Sequence, residues 1–263
     1  MSDTVNLEIL RDGPIARVRM TNPEKHNAFD DGLIVALTEA FDSLDKDEAI
    51  RAVVLEAEGK SFSAGADLNW MKRVAGYSFD ENVTDARALA RMLKVLNFLS
   101  KPVIARVQGA AFGGGVGLVA CCDIAIGTER ASFSLSEVKL GIIPAALSPY
   151  VVDAIGARAA RRYFQTGERF DAATALRLGL LHEVVSEAEL DSAVDAVLNA
   201  ILGVGPIAAA EAKDLVFAVD RPVTDTIIED TVQRIARLRA TDEAQEGMTA
   251  FLEKRRASWN KAK

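Results

Sequence analysis

The stretch Q-G-A-A-F-G-G-G-V-G-L-V-A, Gln108 to Ala120, decides how the rest of the chain is read. The apolar run Val103-Ile104-Ala105-Arg106-Val107 precedes it, opened by Pro102, and reads as a buried strand. The small apolar segment Val116 to Cys122 follows it and reads as a buried helix. Three consecutive glycines, Gly113 to Gly115, therefore stand at a strand-to-helix junction. They permit backbone angles that other residues avoid, and they let another group approach the bare main chain. If the first helical turn starts near Gly115, the amides around Gly114 lack helical partners and sit at the positive end of the helix dipole. That arrangement suits an anion, or an oxygen that becomes anionic in a transition state. Close packing of helix on strand is the other reading of the same glycines.

The 263 residues suffice for one large domain or a domain with an appendage, and 49% hydrophobic with 26% charged residues is an ordinary globular composition. A net charge of -7 argues against nucleic acid as a partner. Cys121 and Cys122 are adjacent, which suits neither an ordinary disulfide nor a metal site. Buried free thiols fit a reducing compartment. The N-terminal M-S-D-T-V-N-L lacks a signal-peptide apolar core, and no apolar run reaches membrane-spanning length. Cytoplasm is the expected location, with no membrane or nucleic acid among the partners.

Outward from the glycine stretch, alternation of Val5, Leu7 and Ile9, then Asp12-Gly13, then Val18 and Met20 predicts an N-terminal β-hairpin. Asn22 to Asn27 is a loop, Asp31 to Leu44 a helix, and Ile50 to Leu55 a strand. Glu56 to Leu68 is a small-residue loop that opens a helix near Asp67, and Asp80 to Ser100 is a longer helix. Asp123 to Ile126 is a further strand, and Ala131 to Glu137 alternates. Helices are expected over Ser148 to Phe164 and Ala172 to Leu178, an extended piece over Glu183 to Val185, and a capping box at Ser186 and Glu189. From Pro206 on the chain reads as helical, with an apolar stripe at Ile227, Ile228, Val232 and Ile235 that must bury against this core or a neighbouring subunit. Strands alternating with helices indicate an α/β core over residues 1–202, and Gly203 to Pro206 is the expected boundary to a helical region over 203–263.

No dinucleotide fingerprint, P-loop or nucleophile elbow is present, and His26 and His182 alone give little material for a triad or a zinc site. A second loop, Ser63-Ala64-Gly65-Ala66-Asp67-Leu68, repeats the design of the first. Two such loops, each offering one amide, can share an oxygen as an oxyanion hole. Asp67 reads as a helix N-cap.

F-S-A-G-A-D-L at Phe62 to Leu68 and G-A-A-F-G-G-G-V-G-L at Gly109 to Leu118 resemble the paired signatures of the crotonase family, the enoyl-CoA hydratase/isomerase superfamily. N-P-E-K-H-N-A-F at Asn22 to Phe29, C-D-I at Cys122 to Ile124, S-E-V-K-L-G-I-I-P at Ser136 to Pro144 and E-G-M-T-A-F-L-E-K-R at Glu246 to Arg255 extend the resemblance over essentially the whole chain. It implies a spiral of repeated ββα units with C-terminal helices that build a trimer, commonly paired into a hexamer. It also implies an acyl-CoA thioester substrate whose carbonyl is held by the amides of Ala66 and Gly114, so that an enolate is stabilised. By the same resemblance Lys25, His26, Ala28, Ala64, Asp67, Leu68 and Gly113 flank the coenzyme A moiety, and Phe251 and Lys254 cover it from the C-terminal region. No metal or redox cofactor is implied, since coenzyme A is part of the substrate.

Hydratases of this family use two glutamates. The position of the first is Gly117 here, and the position of the second is Glu137. Among apolar neighbours such as Leu135, Val138 and Leu140, a carboxylate is expected to have a raised pKa and to move protons near neutral pH. A-D-L-N-W-M-K at Ala66 to Lys72 and F-S-L-S-E-V-K-L-G-I-I-P-A-A-L-S-P-Y-V at Phe133 to Val151 are most similar to bacterial 3-methylglutaconyl-CoA hydratases of leucine and isoprenoid breakdown. That substrate ends in a carboxylate, for which Lys72, Arg73 and Lys139 are candidate partners. An enoyl-CoA isomerase using Glu137 alone is the alternative, and a non-catalytic acyl-CoA-binding or RNA-binding relative is a third.

Overall fold

The structure is a computed structural model and describes residues 6–260. Val5 of the expected hairpin and the last three residues of the helical region fall outside the described part. The chain opens with an antiparallel hairpin, β1 (Leu7–Asp12) and β2 (Ile15–Met20), closed at Gly13-Pro14, and α1 (Asp31–Lys46) follows it. Three strand–strand–helix turns come next. The first is β3 (Ala52–Ala57), β4 (Ser61–Ala64), α2 (Leu68–Val74) and α3 (Phe79–Asn97). The second is β5 (Val103–Val107), β6 (Ala110–Phe112) and α4 (Gly114–Cys121). The third is β7 (Ile124–Thr128), β8 (Ser132–Ser134) and α5 (Ser148–Thr166). Then come β9 (Phe170–Asp171), α6 (Ala172–Leu178), β10 (Glu183–Val185), α7 (Leu190–Leu202), α8 (Pro206–Val219), α9 (Asp225–Arg239) and α10 (Asp242–Leu252). This is the α/β spiral expected from the sequence.

The first strand of each turn enters a six-stranded sheet of order β1-β2-β3-β5-β7-β10, parallel from β2 onward. The second strand enters a four-stranded sheet, β4-β6-β8-β9, in which only β9 runs antiparallel. The residues of β3 are all buried because both its faces are covered. Val53 and Leu55 point into the main core with Val103, Ala105 and Phe41, while Ala52 and Val54 meet Leu190, Val194 and Leu198 of α7.

Several elements differ from expectation. β4 and β6 lie within the two stretches expected to be loops, and β9 falls between two expected helices, because segments of two to four residues are too short to show an alternating pattern. α5 is kinked at Gly156, where φ is 76° and ψ is 150°. Ser186 and Glu189 do not cap a helix: the Ser186 hydroxyl donates to the Glu189 carboxylate at 2.7 Å, and α7 starts one residue later. The serine oxygen is spent as a donor, so the pair closes a turn ahead of the helix.

The C-terminal helices are tied to the sheets by polar contacts. Lys213 Nζ on α8 lies 2.9 Å from Asp123 Oδ2, which also accepts from the Val103 amide at 2.8 Å. The Glu243 carboxylate caps α8 by accepting from the amides of Ile207 and Ala208. The Arg51 guanidinium, ahead of β3, donates to the carbonyls of Ile201, Leu202, Val204 and Trp259. The α9 stripe stays half-exposed, with Ile228, Val232 and Ile235 each near 50% accessible (50%, 49% and 46%). Among the described residues no single helix is long and apolar enough to cross a membrane, and the apolar pair α7 and α8 is bent by 104°.

Candidate active site

The site forms where β4 and β6 end side by side. Ala64 pairs with Phe112 in parallel register, so the two small-residue loops leave the sheet together. Gly113 turns the chain with φ 54° and ψ −120°, angles that disfavour any residue with a Cβ. Its amide donates to Ser134 O on β8 at 2.8 Å, and α4 begins at Gly114. A Cβ on Gly115 would lie 2.2 Å from Ser63 O, so only bare backbone lets the loops meet this closely.

Phe29 organises the other loop. Its amide donates to Gly65 O at 3.1 Å, and its carbonyl accepts from the Asp67 amide at 2.7 Å. In this parallel bridge Ala66, between those two, turns its own amide away from Phe29. The Phe29 ring lies under Gly114, where a Cβ would come within 2.9 Å of it. Among the described residues, neither the Ala66 nor the Gly114 amide donates to a protein acceptor. Gly114 leads a helix and has no partner there by construction. Two unpaired donors beside the helix N-terminus can stabilise an oxygen on which negative charge develops.

Glu137 follows β8 on a short 3-10 turn, Ser136–Leu140. One carboxylate oxygen, Oε1, lies 3.1 Å from the point a Cβ on Gly113 would occupy. The other, Oε2, is buried and has no hydrogen-bond partner. Burial raises the Glu137 pKa from its ordinary value, because the water the charged form loses outweighs the one backbone hydrogen bond it gains. An acid placed this way can take a proton from a substrate or a water and return it.

Gly117 shows why no second acid stands here. A Cβ at that position would lie 2.8 Å from Leu147 Cβ and 3.4 Å from Leu93 Cδ2. Both leucines are buried, so the space is occupied by hydrocarbon.

Of the residues expected to flank coenzyme A, several are brought together. Lys25 Nζ lies 2.7 Å from Asp67 Oδ2, and the Ala64 amide donates to His26 O at 3.0 Å. Ala28 follows in the same loop, its amide donating to Lys25 O. Asp67 also caps α2 by accepting from the amides of Asn69 and Trp70, and the Lys25 ammonium leads in holding its carboxyl below the usual range. Leu68 is 72% exposed at the start of α2. Asn27, which the sequence reading passed over, holds the loop: its side chain donates to Glu58 O and Ser61 O, and Ser63 Oγ donates to its carbonyl. Its left-handed φ of 52° is one that asparagine tolerates, which was the available signal. Phe29 carries no local sequence signal of this role, since its partners Gly65, Asp67 and Gly114 lie in later turns.

Other candidates lie apart within this chain. Phe251 is 82% exposed near the end of α10 and Lys254 just beyond it, with no described contact to Glu137. Arg73 is engaged by Asp31 at 2.7 Å, and the Lys139 stem rests against Gly167. Two open clefts of about 420 and 480 Å³ lie elsewhere, around Arg17, Glu56 and Arg106 and around Arg162, Arg169 and Arg177, and include none of these residues.

Comparison with known proteins identifies the family. The model of the family described as enoyl-CoA hydratase/isomerase matches residues 11–262. The chain is 32% identical to a putative enoyl-CoA hydratase of Thermus thermophilus over 92% of this chain and 96% of that protein. It is 30% identical to a short-chain-enoyl-CoA hydratase of Clostridium acetobutylicum, covering 95% and 96%. A crystal structure of an enoyl-CoA hydratase from Shewanella pealeana superposes with TM-score 0.94 at 45% identity, covering 97% and 96%. Agreement that runs nearly end to end, in sequence and in fold, makes this chain an enzyme of the enoyl-CoA hydratase/isomerase family, within the crotonase superfamily.

Proposed function

We propose that the protein hydrates a branched 2-enoyl-CoA, with 3-methylglutaconyl-CoA as its substrate. The observation that carries this reading is the Glu137 carboxylate, with Oε2 buried and unpartnered and Oε1 against the Gly113 turn that leads to the unpaired Gly114 amide. The thioester oxygen sits between the amides of Ala66 and Gly114 and takes up charge as water adds to C3. Glu137 accepts the proton leaving the water, and the same carboxyl then delivers a proton to C2, which syn addition permits. Each amide in such a hole is worth about 3–4 kcal/mol of transition-state stabilisation. Two relatives named as hydratases support the reaction class. The motifs Ala66 to Lys72 and Phe133 to Val151 support the substrate. Arg73 is paired with Asp31, so Lys72 and Lys139 are the proposed partners of the distal carboxylate. The reaction proposed requires no metal or redox cofactor, and the adjacent buried thiols of Cys121 and Cys122 suit the cytoplasm.

A second reading has its own support. Leu147 fills the space beside Gly117, so Glu137 stands without a second acid. One carboxylate suffices to move a double bond, which is enoyl-CoA isomerisation. Supplying 2-enoyl-, 3-enoyl- and 3-methylglutaconyl-CoA thioesters separates the two. Hydration removes the ultraviolet absorbance of the conjugated enoyl thioester, and isomerisation of a 3-enoyl-CoA creates it. Glu137→Gln lowers either turnover by about 10²–10⁴-fold; an unaltered rate would sink both.

The half-exposed stripe of α9, with Phe251 and Leu252 of α10, supports assembly as a homotrimer or a hexamer of two trimers. In that assembly residues 203–263 are the oligomerisation region, and Phe251 and Lys254 reach the acyl-CoA site of a neighbouring subunit.

A further inference from the structure

The two proposed oxyanion donors leave the small sheet in matching ways. β4 and β6 end with Ala64 opposite Phe112. A glycine of left-handed φ follows each, Gly65 at 96° and Gly113 at 54°, and the donor residues Ala66 and Gly114 come next. The loops are in step only because β4 carries one residue more than β6. Ser61 lies opposite Ala110 and Ser63 opposite Ala111, so Phe62 has no counterpart and forms a bulge. Without that extra residue, the same count from Ser61 and Ala110 would set Ala66 level with Gly115 rather than Gly114. One residue of strand is about 3.3 Å, more than the span over which a hydrogen bond holds.

The start of the bulge is gripped from two other parts of the spiral. Ser61 O accepts from Asn27 Nδ2 and from Gln108 Nε2, each at 3.0 Å. Asn27 Nδ2 also donates to Glu58 O at 2.9 Å, and Gln108 Nε2 donates to Ala57 O at 2.9 Å and Gly59 O at 3.2 Å. The carbonyls of the β3–β4 bend thus depend on two buried side-chain amides. Each is itself fixed. Asn27 Oδ1 accepts from the Asn22 amide, and Gln108 O accepts from Thr128 Oγ1 and Arg130 Nε. Gln108 stands in the two-residue link between β5 and β6, so it ties the strand that delivers Gly114 to the strand that delivers Ala66. Gly109 beside it permits the close approach, since a Cβ there would lie 1.9 Å from Lys60 O. Among the described residues Gln108 Oε1 is buried without a partner, so the structure uses this side chain for what its nitrogen donates.

Taking the oxyanion-hole reading above as its basis, we propose that Gln108 and Asn27 are positioning residues for catalysis. By pinning Ser61 they hold the Phe62 bulge, and the bulge keeps the amides of Ala66 and Gly114 on one thioester oxygen. Neither side chain touches the substrate; both act through the backbone of β4.

The test uses Gln108→Met, which keeps length and removes the donors, and Asn27→Asp, which keeps shape and tolerance of the left-handed backbone. Gln108→Asn keeps the amide on a shorter stem and stands in if Gln108→Met does not fold. Leu198→Ala, a cavity variant on α7, is the control for lost stability alone. Two quantities are read alongside thermal melts: turnover of the preferred enoyl-CoA, and the infrared stretch of an isotopically labelled thioester carbonyl in a bound saturated acyl-CoA, which moves to lower frequency as the hole polarises it. Gln108→Met and Asn27→Asp lower kcat by about 10–100-fold with KM within about threefold of wild type, and they lose most of the carbonyl shift. Gln108→Asn loses less of both. Leu198→Ala keeps kcat and the shift. Folded variants with wild-type kcat and carbonyl shift overturn the proposal and leave the oxyanion-hole reading intact, as does a Leu198→Ala protein that falls equally at equal loss of stability. A wild-type protein that leaves the carbonyl stretch unmoved overturns both.

Discussion

Replacing Gly113 by alanine separates backbone strain from the placement of the acid. The angles at Gly113, φ 54° and ψ −120°, cost an L-residue about 1–3 kcal/mol. The new Cβ would also lie 3.1 Å from Glu137 Oε1 and 3.6 Å from its carboxyl carbon, tighter than ordinary contact, so the carboxylate must shift by a few tenths of an ångström. Gly13, in the turn between β1 and β2, is the matched control: φ is 56° there, and a Cβ meets nothing within 4 Å. Both variants lose about 1–3 kcal/mol of stability, and each kcal/mol lowers the melting temperature by about 2–4 °C. Only Gly113→Ala loses catalysis. A displacement of about 1 Å at a reacting group costs up to about 10²-fold, so a shift of a few tenths, together with a reoriented Gly114 amide, lowers kcat/KM by about tenfold or more. The assay is turnover of whichever enoyl-CoA the wild type prefers, alongside a thermal melt. If Gly113→Ala keeps the turnover of Gly13→Ala at equal loss of stability, the placement of Glu137 against the glycine turn is not what the geometry implies.

The raised pKa of Glu137 acts on catalysis and on stability. As a base it must be ionised, so kcat/KM falls as pH drops through a value above the ordinary glutamate range; for stability, the folded state holds the proton more tightly, so this contribution is present at low pH and lost as pH rises through the raised value, a slope that urea unfolding of Glu137→Gln should lack. Asp67→Ala removes the α2 cap and the Lys25 pair, and costs about 0.5–2 kcal/mol in chemical unfolding. Asp123→Ala strands the largely buried Lys213 ammonium and the Val103 amide, and costs about 3–5 kcal/mol, whereas Asp123→Asn with Lys213→Met recovers most of it. Ile228→Glu with Val232→Glu converts the proposed trimer to monomer in size-exclusion chromatography with light scattering, and an unchanged mass would discard α9 as the interface.

The large sheet was legible in the sequence because its strands are buried on both faces. Ala52 to Leu55 and Val103 to Val107 are apolar runs that no helix period explains. The small sheet was nearly invisible. Ser61 to Ala64 and Ala110 to Phe112 hold one large residue each, Phe62 and Phe112, and each finds its strand partner in a later turn of the spiral, β4 on β6 and β6 on β8. Gly117 was legible as a missing acid, but its consequence was not. Leu147 lies thirty positions later, and nothing local says that its Cβ takes the place of a side chain at 117. Asn27 was similarly hidden, since its partners Glu58, Ser61 and Ser63 belong to the next turn of the spiral.

Arg51 has a consequence for the timing of synthesis. Its guanidinium gathers carbonyls from the end of α7 and from Trp259, which lies 208 positions further along the chain. At roughly 5–20 residues per second, about 10–40 s pass between the emergence of the cation and that of its last acceptor. During that interval β3 and β5 can pair, and α7 can dock on their outer face, but the polar knot at Arg51 stays open. The C-terminal helices are thus the last part to be fastened, and ribosome-bound chains stalled before Trp259 should show a protected sheet and a protease-sensitive end.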